Sequence, residues 1–348
     1  MRLFPSLVRW QLILLLLLPG TNQCVAYLGQ ATMGQLEIMW YRRPIESVIQ
    51  DPATPKEMRA KLLFIESVRE FARQKMHLQV DQTYQQITIL DRDSLAWNVS
   101  ASDRLQFQAL EYYFPIVGTV PYLGYFDKKD AVAKVQELEG EGYDVALSEI
   151  GAYSTLGWFD DPLISTQLKA SRPYLAELLI HECSHATIWF TDDVRFNESF
   201  ANFTGQQGAL EFLQHSWGAK DPRLQKMLIF HYEQIQLRQW FRDTARALEN
   251  NYASNLDDRA KLLAKAKIIA AFQNKLRSKQ LEMQVLNLQP LIEKKLNNAH
   301  FLAWLRYNSG QAFFQETFSR CSGDWSCFLT KIRSLRDLDK EERKKLLL

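Results

Sequence analysis

Residues 178–190 read LLIHECSHATIWF, with two histidines four positions apart and a glutamate directly after the first. On an α-helix, residues i and i+4 lie on one face with their Cβ atoms about 5–6 Å apart. Two imidazole nitrogens at this spacing can bind one zinc ion at about 2.0–2.1 Å. We therefore predict that His181 and His185 are zinc ligands. A buried helix with two metal-free histidines is the alternative.

The glutamate between the histidines indicates what the metal would do. Glu182 projects toward the open side of such a site, where its carboxylate can take a proton from a zinc-bound water. Pro173 directly after Ser171-Arg172 is typical of a helix start. We therefore predict that Glu182 is the general base.

A catalytic zinc needs a third protein ligand and an open coordination position. Downstream, residues 196–203 read FNESFANF, in which Glu198 follows Asn197, a good N-cap residue. We place Glu198 in the first turn of a second helix, whose positive end would keep the carboxylate ionised. The residues between His185 and Glu198 suffice for one helix to end and another to return beside it. For Glu198 taken alone, an ordinary helix-capping acid is the alternative.

A tyrosine upstream of the motif is the candidate for stabilising the transition state. Residues 151–159 read GAYSTLGWF, and a β-rich segment here can supply an edge strand that pairs with an extended peptide. The phenol of Tyr153 would then donate to the oxyanion that forms on the attacked carbonyl. Tyr122 and Tyr125 are rivals for this role, and a structural role is the alternative for each tyrosine.

Two more residues lie close to the predicted ligands in the sequence. Asp193 is a candidate hydrogen-bond acceptor for a ligand histidine, as zinc sites need, or else a solvated turn residue. Cys183, inside the motif, is expected to be a small buried apolar side chain.

The composition limits the class of protein. The 348 residues are 47% hydrophobic, which is enough for a sizeable core, and the formal net charge is only +2. Basic residues are interspersed with acidic ones, so the sequence predicts no basic surface for nucleic acid. Nucleic acid is therefore not an expected partner.

The N-terminus predicts export. A positively charged leader precedes an unbroken apolar run at positions 12–18, followed by Pro-Gly. A membrane-spanning helix needs about 20 apolar residues, so we predict a signal peptide over residues 1–26. Cleavage before Cys24 would make residues 1–23 a lipoprotein signal and Cys24 a lipid anchor. Cleavage after Ala26 is the competing prediction.

Apolar periodicity predicts an α+β fold that is mostly α-helical. The predicted strands lie in the N-terminal half, at residues 86–90, 105–110 and 143–147. The predicted helices are one with Thr54 as N-cap, one at 128–139 and a long one at 257–288, and the chain from Pro173 onward is helical almost to its end.

We expect one zinc metallopeptidase domain over residues 27–348. Its catalytic core, at roughly 80–210, would contain a zincin-like HExxH helix, the second ligand helix and a small β-sheet, followed by a long helical part at 211–348. Near its end, Cys321 and Cys327 frame a Gly-containing turn. They can pair in an oxidising compartment, with two unpaired thiols as the alternative.

The order of the motifs resembles known zinc peptidases. HECSH followed by NESFANF resembles the gluzincin arrangement, with a shorter spacer than in the large gluzincin aminopeptidases. Over nearly the whole mature chain, the sequence is more similar to the bacterial family called predicted, or putative, aminopeptidases. The segments that carry this similarity are GYFD at 124–127, residues 152–162, the HExxH helix, FNESFA at 196–201, Asn297-Asn298-Ala299, Tyr307 and the residues that follow Cys24.

The resemblance implies a zinc-dependent peptidase of the bacterial cell envelope, free in the periplasm or anchored to the membrane through Cys24. One Zn²⁺ would be held by His181, His185 and Glu198, and the partner would be a peptide or protein substrate. Aminopeptidase is the preferred activity. Such an enzyme needs an acidic group for the free α-amine, for which Glu149 and Glu177 are candidates. The alternatives are a zinc endopeptidase acting on envelope proteins and a non-catalytic zinc-binding envelope protein.

Overall fold

A computed structural model describes residues 33–34, 36–81, 83–114, 118–150, 161–191, 193–307 and 310–347. The predicted signal peptide with Cys24 and Ala26, and the candidate Tyr153, lie outside the described residues. Helices dominate the described chain, and short strands are confined to its first half. The predicted α+β, mostly α-helical class is therefore confirmed.

The elements are numbered in chain order. The strands are β1 (Arg42–Pro44), β2 (Thr83–Thr88), β3 (Ala96–Ser102), β4 (Tyr112–Phe114), β5 (Gly118–Val120), β6 (Leu123–Tyr125), β7 (Asp144–Ile150) and β8 (Asp161–Ile164). The α-helices are α1 (Ile45–Gln50), α2 (Lys56–Gln74), α3 (Lys128–Gly140), α4 (Arg172–Thr187), α5 (Val194–Trp217), α6 (Pro222–Ala253), α7 (Asp258–Lys279), α8 (Gln289–Glu293), α9 (Asn298–Tyr307), α10 (Gln311–Arg320), α11 (Trp325–Ser334) and α12 (Lys340–Leu346).

Within the described residues, the strands form three small sheets. In the first, β2 pairs antiparallel with β1 and parallel with β8. In the second, β3 pairs antiparallel with both β6 and β7, while β4 and β5 pair with each other. The two strands that precede α4 in the chain, β7 and β8, therefore each lie at the edge of a sheet.

Two of the predicted strands are present and one is not. The strand predicted at 86–90 runs from Thr83 to Thr88, and the one predicted at 143–147 runs from Asp144 to Ile150. The strand predicted at 105–110 is wrong, since only an isolated bridge joins Ser102 to Ala109. In this segment, backbone carbonyls accept hydrogen bonds from side chains and not from the backbone of a partner strand. The amide of Asn298 donates to carbonyls of this segment, at 3.2 Å in the case of Gln106.

The predicted helix at 128–139 is confirmed as α3, but two other predicted helix boundaries are wrong. At α2, Pro55 occupies the N-cap position, while the Thr54 hydroxyl donates to the carbonyl of Val48 at 2.7 Å. The long helix predicted at 257–288 ends at Lys279. Beyond it, the buried carboxylate of Glu233 accepts hydrogen bonds from three consecutive backbone N–H groups, those of residues 284–286, and this holds the chain out of the helix.

The largest core cluster packs α2, α4 and α5 against the C-terminal helices α10 and α11, and a second cluster joins α6, α7 and α9. Cys183 is fully buried in the first cluster as a free thiol, as predicted. Burial raises the pKa of this thiol to about 12, so it stays protonated. The disulfide between Cys321 and Cys327 is present and joins the end of α10 to α11. Among the described residues, no helix is both long and apolar enough to cross a membrane.

Candidate metal centre

Helix α4 carries both histidines on one face and packs its opposite face into the core. Leu179, Ile180 and Cys183 are each at most 1% exposed. Pro173 lies in the first turn as predicted, although Ser171 makes no side-chain hydrogen bond at the N-cap. Since the apolar face is held by the core, the face with His181 and His185 has a defined direction.

The helix that carries Glu198 begins earlier than predicted. Helix α5 starts at Val194, and its N-cap is Asp193, whose carboxylate accepts from the backbone N–H of Phe196. Asn197 is therefore not the N-cap. It is buried inside the helix, and its side-chain amide bonds both backbone polar groups of Phe190, at 2.7 and 2.9 Å. Glu198 thus lies in the second turn, away from the free N–H groups of the helix end.

The three predicted ligands converge. The Nε2 atoms of His181 and His185 lie 3.1 Å apart. Oε2 of Glu198 lies 3.4 Å from Nε2 of His181 and 3.8 Å from Nε2 of His185. These residues form the one group of potential metal ligands found among the described residues, with one ligand atom from each within 4.8 Å of the others.

The hydrogen bond on the far side of His181 orients its ring. Nδ1 of His181 lies 3.1 Å from Oδ1 of Asn202. Because an amide oxygen can only accept, this contact assigns the proton to Nδ1 and leaves the lone pair of Nε2 facing the centre. Asn202 is not among the residues predicted from the sequence. The signal was its i+4 spacing from Glu198, which places both residues on one face of α5.

Mutual contacts set the charge states of the ligands. Burial would raise the pKa of Glu198, but its contacts with the two imidazoles outweigh burial and hold that pKa well below its usual range. Burial would likewise lower the pKa of His181, but the carboxylates of Glu198 and Glu182 outweigh it and raise that pKa. The carboxylate of Glu198 is thus kept ionised by the histidines and not, as predicted, by a helix end.

The donor set fits zinc. A tetrahedron of ligands at 2.0–2.2 Å has edges of about 3.3–3.6 Å, and the three observed separations, 3.1–3.8 Å, span this range. Oε2 of Glu198 is also buried without a hydrogen-bond partner in the described part of the chain. A buried carboxylate oxygen without a donor is costly, and a cation at this point would satisfy it.

Glu182 directly follows His181 on α4, and its charge contributes to the raised pKa of that histidine. It is only 8% exposed, and its Oε2 has no hydrogen-bond partner among the described residues. Tyr174 is half exposed, and partial burial raises the pKa of its phenol, to which the charges of Glu177 and Glu182 add. Tyr174, two turns before Glu182 on α4, is a further polar residue near the site that no sequence pattern indicated.

The other candidate residues have separate places. Asp193 contacts no ligand histidine among the described residues and is not a solvated turn residue, because it is 4% exposed and its Oδ2 accepts from Nε of Arg343 at 2.8 Å. Tyr125 is buried in the core of the second sheet. The ring of Tyr122 stacks on the guanidinium of Arg306.

The two acidic candidates for binding an amine differ in their surroundings. Oε1 of Glu177 lies 2.6 Å from Nε2 of His231 on α6, and both side chains are largely buried. Glu149 is exposed on the edge strand β7 and accepts from the Ser94 hydroxyl at 2.6 Å. It lines a cavity of about 330 Å³ together with Tyr174 and Leu178 of α4. His231 is a further residue that no sequence pattern indicated.

A family model with the description "Putative aminopeptidase" matches residues 26–347 of the chain. No curated protein and no solved structure matches it.

Proposed function

The chain belongs to the family described as "Putative aminopeptidase", and we propose that it is a zinc-dependent peptidase that releases N-terminal residues from peptides. One observation carries the proposal. The ligand atoms of His181, His185 and Glu198 converge within 4.8 Å of one another, beside the buried carboxylate of Glu182. A HExxH helix completed by a glutamate from a second helix is the zincin-like, gluzincin arrangement, and it is part of this proposal.

The metal and the side chains of the protein have different roles in the proposed chemistry. When bound by the two histidines and Glu198, zinc supplies Lewis acidity, which acidifies water and polarises a carbonyl. Glu182 accepts the proton of the attacking water and then passes it to the leaving amine. Asn202 keeps the Nδ1 proton of His181 in place and so fixes the direction of the imidazole lone pair.

We propose Glu149, and not Glu177, as the group that binds the substrate's α-amine. Glu177 is largely buried and already contacts the imidazole of His231, whereas Glu149 contacts the neutral hydroxyl of Ser94. Glu149 is exposed and lines the cavity beside the N-terminal half of α4. An ammonium group within reach of Glu149 would lie between the edge strand β7 and the metal helix, which is where the end of an extended peptide would lie.

The proposed setting is the bacterial cell envelope. The charged leader and apolar run before residue 26 support export, and Cys24 is the proposed lipid anchor if cleavage precedes it. The proposed partner is a peptide or protein substrate.

Substitution of the base tests the mechanism. We expect Glu182→Gln to retain about one zinc per chain, because none of the three ligands changes, and to lose peptide hydrolysis by a factor of about 10²–10⁴. Zinc is measured by elemental analysis of the purified protein, and hydrolysis by release of free amino acid. His185→Ala should lose the zinc, while His215→Ala, which removes an exposed histidine from α5, should keep it. A Glu182→Gln variant as active as the wild type contradicts the mechanism.

Blocking the substrate tests the type of peptidase. We expect cleavage of peptides with a free N-terminus and none of the same peptides after N-acetylation. Cleavage of blocked peptides at internal bonds would show an endopeptidase. Zinc binding without cleavage of either set would show a zinc-binding protein without turnover.

A further inference from the structure

Helix α6 carries a largely buried arginine that pairs with no carboxylate of the described residues. Arg238 is 7% exposed, and within the described part of the chain it makes no hydrogen bond or ion pair. Burial, and then the like charge of Arg242, lower the pKa of Arg238 to about 10. This value still leaves the guanidinium fully charged at neutral pH. An unpaired charge on a side chain that is more than nine-tenths buried costs free energy, and no acidic group of the described residues offsets this cost for Arg238.

Two more arginines surround the same point. Arg242 follows Arg238 by one helical turn, and burial and the charge of Arg246 lower its pKa. Arg195, in the first turn of α5, lies close enough to Arg242 for the two charges to repel, and it is also within the field of Asp193 and Glu249. We call Arg195, Arg238 and Arg242 the arginine cluster. Its positive charges favour a bound anion more than any one of them alone.

The arginine cluster lies along the helices that carry the metal ligands. His231, seven residues before Arg238 and therefore on the same face of α6, contacts Glu177, one turn before His181. At the other end of this face, Arg242 interacts with Arg195, three residues before Glu198. Arg238 lies between these two points. The face of α6 that carries it is thus directed at α4 and α5 along the stretch that holds the proposed zinc ligands.

We propose that Arg238, supported by Arg195 and Arg242, binds a carboxylate of the peptide substrate. A guanidinium binds a carboxylate through two parallel N–H···O bonds, which fits the single buried arginine at the centre of the cluster. The carboxylate is either the C-terminus of a short peptide or an acidic side chain of a longer one. The identity of this ligand rests on the proposed peptidase function.

Paired peptides test this assignment. One pair has a free or an amidated C-terminus, and a second pair, with both C-termini amidated, has Glu or Gln at an internal position. A charged hydrogen bond is worth a factor of about ten to a hundred, so we expect wild-type kcat/KM to be about 10–100-fold higher for one acidic member. The pair that responds identifies the source of the carboxylate.

Variants on α6 locate the effect. Arg238→Met should reduce the acidic-to-neutral ratio of kcat/KM to about one, and Arg238→Lys should retain part of it, since a point charge replaces a planar fork. The control is Arg246→Met, which removes an equal charge from an exposed position on the same helix and should keep the wild-type ratio. An Arg238→Met ratio equal to that of the wild type overturns the proposal.

A binding measurement separates this proposal from the peptidase function. Titration calorimetry of the wild-type protein and of Arg238→Met uses the same four peptides. Carboxylate-dependent binding that Arg238→Met abolishes, without any hydrolysis, would support the arginine site and reject the peptidase. Hydrolysis of all four peptides at equal rates would support the peptidase function and reject the arginine site.

Discussion

The contact between the two helices that carry the proposed zinc ligands allows a sharp test of how the proposed metal centre is built. Gly205 of α5 lies directly against α4, and a Cβ atom added there would meet the carbonyl oxygen of Glu177 at 2.8 Å and Cβ of His181 at 3.3 Å. The oxygen belongs to the backbone and cannot rotate away. For Gly205→Ala, the helices must therefore separate by about 0.6 Å to restore an ordinary contact.

The effect on zinc binding follows from this displacement. His181 is on α4 and Glu198 on α5, so the shift moves one ligand relative to the other by more than the ~0.2 Å that a metal site tolerates. We expect Gly205→Ala to weaken zinc binding about 10–100-fold, the range seen when the support of metal ligands is disturbed. Stability of the zinc-free protein should change little, because about 1–3 kcal/mol of overpacking is partly offset by about 1 kcal/mol of helix propensity.

Competition with a chelator measures the zinc affinity, and urea unfolding measures the free energy of unfolding of the zinc-free protein. Two glycines serve as controls. Gly140→Ala on α3 meets nothing within 4 Å and should leave zinc binding unchanged. Gly208→Ala, also on α5, meets the flexible end of Met76 first, so that side chain can move instead of the helices. A Gly205→Ala protein that binds zinc within about twofold of the wild type would refute the idea that this close approach sets the ligand geometry.

Two further predictions concern stability. Burial and Lys294 lower the pKa of His300 from 6.5 to about 4. Between these two values the unfolded chain binds one more proton than the folded chain, so the free energy of unfolding falls as the pH falls, by about 2 kcal/mol between pH 6.5 and 5. Urea unfolding of His300→Gln should lack this loss, and an unchanged pH dependence in that variant would contradict the assignment. Reduction of the Cys321–Cys327 disulfide, which closes a short loop, should lower the free energy of unfolding by about 2 kcal/mol. A Cys321→Ser/Cys327→Ser variant should not respond to reductant, and a wild type that also fails to respond would show that the disulfide does not contribute.

Local patterns predicted the parts of the centre that depend on a few neighbouring residues. The i, i+4 spacing placed His181 and His185 on one face of a helix, and the structure brings their Nε2 atoms to 3.1 Å. Glu198 was predicted as the third ligand because it lies near the start of a helical pattern that follows a short turn. The start of that helix was predicted wrongly, since Asp193 and Asn197 are both good capping residues. The choice between them depends on Arg343, 150 residues away, which binds Asp193.

The sequence by itself determined the two-histidine face, the glutamate between the histidines, the helical character of the C-terminal part and the close spacing of Cys321 and Cys327. These features follow from backbone periodicity and short chain separations. Only the tertiary structure decided the proton position on His181, the approach of α4 to α5 at Gly205 and, among the described residues, the lack of an acidic partner for Arg238. Each of these depends on the distance between groups on different helices. Packing of side chains far apart in the chain sets such distances, and no local pattern records them.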